Sequence, residues 1–153
     1  MGKRVRHALM LVLFAGVAQA ADDQGAPARD ARLEAARAAI AKKDWPAAQA
    51  VLKEALEANP GNADYHNLYA YAIRSAPNPQ MDLVFKHYHE ALRLDPKHRG
   101  AHEYIGEAYL MVGNLDKARE HLKALDRLCL FSCPEYRQLR RAIEDYERRQ
   151  AKR

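Results

Sequence analysis

Apolar positions recur with a helical rhythm from about residue 29 almost to the end of the chain, and no stretch of strict alternation makes a strand. The rhythm predicts helices at about 29–42, 45–58, 63–75, 80–94, 98–112 and 115–129. The breaks fall on turn chemistry: Lys43-Asp44, Asn59-Pro60-Gly61-Asn62, a Pro-rich loop at 76–79, and Gly113-Asn114. A seventh helix runs from Pro134 to about Gln150. Its stripe of Tyr136, Leu139, Ile143 and Tyr146 is narrow, and Arg137, Arg141, Arg148 and Arg149 fall on other sides. Glu135, Glu144, Asp145 and Glu147 interrupt that basic surface. The helix therefore reads as a solvated cap, not as a basic surface for lipid or nucleic acid.

The helices repeat. Ala55-Leu56-Glu57-Ala58-Asn59-Pro60 returns 36 residues later as Ala91-Leu92-Arg93-Leu94-Asp95-Pro96. A third unit without the proline carries Gly106, Tyr109, Gly113-Asn114-Leu115, Ala118 and Leu122. Together with Trp45, Ala48, Leu52 and Ala70, these positions resemble the tetratricopeptide repeat, a pair of antiparallel helices about 34 residues long. Two extra residues in Ser75-Ala76-Pro77-Asn78-Pro79-Gln80 account for the longer spacing. The resemblance implies an all-α solenoid of about three helix-turn-helix units over 29–131 (about 29–62, 63–97 and 98–131), closed by a capping helix at 134–150. Small residues let neighbouring helices approach, a large apolar side chain fills the space beside them, and proline ends each unit.

The start of the chain reads differently. Met1-Gly2-Lys3-Arg4-Val5-Arg6-His7 is basic, Ala8–Val17 is uncharged and apolar, and Ala18-Gln19-Ala20 ends small-x-small. This is the layout of a Sec-type signal peptide over 1–20, with cleavage expected after Ala20. The apolar run is short for a bilayer span, so no stable membrane insertion is expected after cleavage. A flexible arm over 21–28 follows, and the expected address is the periplasm or the exterior.

Export alters the charge picture. The 25 Lys+Arg against 20 Asp+Glu give +5, but three of the basic residues lie in the leader, leaving 22 against 20. That is no nucleic-acid footprint. The composition, 48% hydrophobic and 29% charged, excludes a wholly disordered chain.

The two cysteines, Cys129 and Cys133, lie between the last repeat and the cap. In an oxidising compartment they are expected to form a disulfide that sets the angle of the cap. Thiol metal binding and redox exchange are the alternatives, although the C-x-x-C spacing of redox helices is absent. His98 and His102 stand one helical turn apart, a spacing that suits zinc or copper if His121 or the cysteines supply further ligands. No phosphate-binding Gly loop, HExxH or G-x-S-x-G elbow is present, so neither catalysis nor a cofactor is expected.

What remains is a binding surface. In tetratricopeptide arrays the first helix of each pair lines a concave groove that receives peptides. Carrying that register over implicates Asn67, Tyr71 and Arg74 from the second unit, and Glu103, Glu107 and Leu110 from the third. The Lys/Asn/Lys/Arg set with which chaperone-binding members clamp a C-terminal carboxylate is absent. The expected partner is a segment of another exported or membrane-attached protein.

Overall fold

In the computed structural model, which describes residues 30–152, seven helices follow one another and no strand occurs among the described residues. They are α1 (Ala31–Ala41), α2 (Trp45–Ala58), α3 (Ala63–Ser75), α4 (Met81–Leu94), α5 (Arg99–Met111), α6 (Leu115–Leu128) and α7 (Pro134–Gln150). The segments read as leader and arm lie outside the described residues. The all-α helical-repeat fold expected from the pattern is the fold observed.

Most helix starts are satisfied by a side chain beside them, those of α4 and α7 excepted. Asp30, Asp44, Asn62 and Asn114 place side-chain oxygens on N–H groups of the first turn, as N-caps do. The turn between α5 and α6 carries Gly113 at φ 78°, where a side chain would be strained; the matching position between α1 and α2 is Lys43 at φ 57°. Asn59-Pro60 and Asp95-Pro96 end α2 and α4 and turn the chain into the next unit.

Every helix packs on the next in sequence. In addition α1 touches α3, α3 touches α5 and α5 touches α7, whereas α2, α4 and α6 do not touch one another. An inner row of close helices and an outer row of separated ones curve the stack, with the inner row on the concave side. Three apolar clusters fill the interior: Leu33, Leu52 and Tyr65 across α1–α3, Ile73, Val84, Tyr88 and Ile105 across α3–α5, and Leu110, Leu125, Leu139 and Ile143 across α5–α7. The small residues expected at the crossings, Ala48, Ala55, Ala70, Ala91 and Ala118, are all fully buried. Gly106 shows why they are small: a Cβ there would lie 2.6 Å from a Leu139 methyl. Leu139 and Ile143 bury the cap's stripe against the third unit, so α7 closes the open end of the stack.

Candidate functional site

The concave wall is built by helical spacing. Asn67, Tyr71 and Arg74 lie at i, i+4 and i+7 on α3, and Glu103, Glu107 and Leu110 repeat that spacing on α5, so each trio shares one face. The fold brings the two faces together. Arg74 donates to Glu107 at 2.8 Å and to the Tyr88 hydroxyl at 3.3 Å, and its guanidinium lies over the rings of Tyr71 and Tyr104 at 5.4 and 5.7 Å. Tyr71 and Tyr104 are 4.7 Å apart, and Trp45 meets Tyr71 edge-on at 6.2 Å. Arg74 is thus committed to holding α3, α4 and α5 together, and little of it remains for a peptide carboxylate. Beside it a cavity of about 330 Å³ is lined by Glu107, Leu110, Met111, Asp145 and Arg149. Leu110 is nearly buried, while Met111 is half-exposed at its edge.

The register placed six residues on this wall but missed Tyr104 and the α7 contribution. Tyr104 follows Glu103 in sequence, and only the approach of Tyr71 from α3 shows that it belongs here. Glu135 lies in the first turn of the cap, and it is packing on α5 that brings it beside Glu103.

Asn67 and Glu103 are not solvated side chains: both are buried. Burial, followed by the carboxylates of Glu107 and Glu135, pushes the Glu103 carboxyl up to about 8, against the opposing pull of Arg74.

One residue earlier on each helix stands a histidine, and there the polar atoms are all accounted for. His66 Nε2 faces the Pro60 carbonyl at 2.9 Å and its Nδ1 faces His87 Nδ1 at 2.8 Å. His102 repeats this with the Pro96 carbonyl at 3.1 Å and His121 Nδ1 at 2.9 Å. A carbonyl only accepts, so Nε2 of His66 and His102 carries the hydrogen. Their bare Nδ1 then accepts from His87 and His121. Burial first, and the facing histidine second, hold His87 and His121 down to about 4.

These contacts leave the alternative of a metal site at His98 and His102 without support. His98 is the N-cap of α5, accepting from the Ala101 N–H at 3.1 Å while its Nε2 faces Asp64 at 3.2 Å. His102 is spent on His121 and Pro96. Among the described residues no group of three or more His, Cys, Asp or Glu side chains is placed to hold a metal ion.

Cys129 caps the end of α6 and Cys133 precedes α7, with Cα atoms 5.6 Å apart and the sulfurs bonded to each other in the structure. The short loop between them presents Leu130 and Phe131, each 94% exposed. No described helix is long and apolar enough to cross a membrane.

The stacked helix pairs define an α-helical repeat protein with a concave wall. Two tetratricopeptide-repeat family models match the chain, over residues 11–70 and 86–129, and together they span more than half of it. The chain belongs to the tetratricopeptide-repeat family. The first match begins inside the segment read as a leader. A TPR repeat-containing thioredoxin of Arabidopsis thaliana is 31% identical over 81 residues, 53% of this chain; the chain spans only 12% of that relative's length. Among solved structures, the yeast Sti1 TPR2B domain in its pHsp70 complex has a TM-score of 0.67 at 17% identity, covering 78% of this chain and 99% of that one. The Sgt2 TPR domain of Aspergillus fumigatus has a TM-score of 0.68 at 21% identity, covering 82% and 81%. The Yersinia enterocolitica type III secretion chaperone SycD, in complex with a peptide of the translocator YopD, has a TM-score of 0.64 at 15% identity, covering 78% and 92%. At these identities the likeness establishes the fold.

Proposed function

We propose that this protein is an exported docking adaptor, without chemistry of its own, whose concave wall holds a segment of another exported or membrane-attached protein. The observation that carries the reading is the aromatic strip of Trp45, Tyr71 and Tyr104, joined through Arg74 to the cavity beside Leu110 and Met111. Rigid rings present contact area at low entropic cost, and a concave apolar wall with a few polar groups is what a peptide segment needs. Two of the similar structures, those of Sti1 and SycD, are complexes with pHsp70 and with a translocator peptide. Three repeats make a short groove, which suits a small epitope and modest affinity.

The address rests on the leader-like start of the chain, and the Cys129–Cys133 bond fits an oxidising compartment. N-terminal sequencing of protein recovered from cells is expected to begin at Ala21, and its intact mass to show two hydrogens fewer than the dithiol form. For the groove, a photo-cross-linking residue in place of Met111 is expected to trap a partner in intact cells. Tyr71→Ala should abolish that product. A product that survives Tyr71→Ala, or that forms equally from Lys53 on α2, would show that the concave wall is not the docking surface.

A further inference from the structure

Two hollows meet where the last turn of α5 faces the last turns of α7. The cavity of about 330 Å³ described above and a second of about 360 Å³ share Leu110, Met111 and Arg149, so they form one trough. Leu110, Ala142 and Tyr146 give it an apolar lining. Met111 and its neighbour Val112 stand at its edge, 53% and 50% exposed, two of the four large apolar side chains that the described residues leave in water. Single exposed apolar residues are ordinary, but a pair bordering a concavity is what a docked side chain covers.

The charges around the trough become unequal once their partners are counted. Glu107 is taken by Arg74 at 2.8 Å, and Asp145 is taken by Arg148. Arg149 lines both cavities from an exposed position, and no acid among the described residues lies within ion-pair distance of it. A smaller hollow of about 170 Å³ continues past Arg149 to Arg148 and Lys152. Helical spacing places Ala142, Asp145 and Arg149 on one face of α7, so the apolar lining and the cation come from the same side of the cap. Arg74 is spent on Glu107 and Tyr88, so the cation open to a carboxylate at this end of the wall is supplied by the cap and not by a repeat.

We propose that the trough receives a segment in which an aliphatic side chain is followed by an acidic one. The aliphatic group lies against Leu110, Met111 and Tyr146, and the carboxylate pairs with Arg149, with Lys152 adding to the positive field. The inference rests on the docking reading above and adds the chemistry of the docked segment. The planar guanidinium suits a carboxylate, whereas a basic segment would meet repulsion. An ion pair at an exposed lip adds little affinity, so its main effect is to choose between segments that the apolar contact would hold equally.

The test is a magnetic-resonance titration of the folded protein with three peptides, acetyl-Ala-Leu-Glu-Ala-amide and its counterparts with glutamine or lysine in place of glutamate. The glutamate peptide is expected to bind tightest and the lysine peptide weakest, spanning about tenfold at low salt and less as salt is raised. Shifts should fall on the last turn of α5 and on residues 142–150. Arg149→Glu should reverse the order, and Met111→Ser should weaken all three peptides alike. Arg149→Gln serves if charge reversal disturbs the end of α7, and should bring the glutamate peptide to the glutamine level. Equal binding of the three peptides in the trough, or an order that neither Arg149 substitution changes, would overturn the acidic preference and leave the docking reading to the Met111 cross-link. No binding of the glutamate peptide at millimolar concentration would overturn the inference as well. Inorganic phosphate displacing that peptide at lower concentration, with the same dependence on Arg149, would assign the lip to a free anion and overturn a peptide-borne ligand. Self-association in sedimentation that Met111→Ser abolishes would give the trough to a second copy of the chain, which also overturns it.

Discussion

His66 and Asn67 are neighbours on α3, and His102 and Glu103 are neighbours on α5, yet the two layers they form are opposites. The histidine layer points towards the outer helices, where each ring finds a carbonyl on one side and a second histidine on the other. The Asn67–Glu103 layer points along the concave wall, where oxygens are buried without donors. Adjacent residues on a helix are about 100° apart, so one step along the chain exchanges one environment for the other. The difference teaches that burial of polar groups has two outcomes here. A satisfied pair fixes how two helices meet, whereas an unsatisfied polar atom is buried at a cost in stability.

The comparison breaks most visibly through stability. His66→Ala removes the donor to the Pro60 carbonyl and strands the His87 Nδ1–H, and is expected to cost about 3 kcal/mol in urea unfolding. Glu103→Met replaces an orphaned carboxyl with an apolar side chain of similar length, and is expected to stabilise the fold by about 1 kcal/mol. Equal destabilisation by both would erase the distinction between the layers.

Next in size is the response to pH, read as melting temperature. His87 and His121 hold fewer protons folded than unfolded between about 4 and the ordinary histidine value. Their contribution is complete above about 6.5 and is lost as pH falls towards 4. Glu103 is the reverse: its folded carboxyl keeps a proton up to about 8, so its contribution is complete below the ordinary carboxyl range and is lost as pH rises through 8. Glu103→Gln should remove the loss of stability between the ordinary carboxyl range and about 8, flattening the alkaline side and steepening the histidine-driven rise below 6.5. An alkaline limb that persists in that variant would remove Glu103 from the account.

The smallest effect expected is that of Asn67→Ala. The Asn67 oxygen has no partner to lose, so unfolding should change by less than about 1 kcal/mol, well below the cost of His66→Ala one residue away.

Much of the fold was legible from local pattern. The apolar rhythm and the turn residues located seven helices to within about two residues, because Pro60, Pro96, Gly113 and the capping Asp and Asn side chains act on the backbone beside them. Spacing alone puts Asn67, Tyr71 and Arg74 on one face of α3. His98 was left open between cap and ligand, because a histidine one turn from another has the geometry of a ligand pair and nothing in the spacing tells that its ring turns back to cap α5. Arg74 was assigned to the groove without its partners, because the Tyr88 and Glu107 that occupy it lie 14 and 33 residues away.

Short-range chemistry therefore settled where the helices begin and end, which face of each is apolar, and that the units must stack to cover those faces. Tertiary packing alone decided which polar groups are answered and which are not. The two histidine pairs close, Arg74 meets Glu107, and oxygens of Glu103, Asn67 and Glu135 are buried without a partner. Those outcomes depend on which side chains face each other across a helix interface, and helical periodicity assigns a residue its direction but not its neighbour.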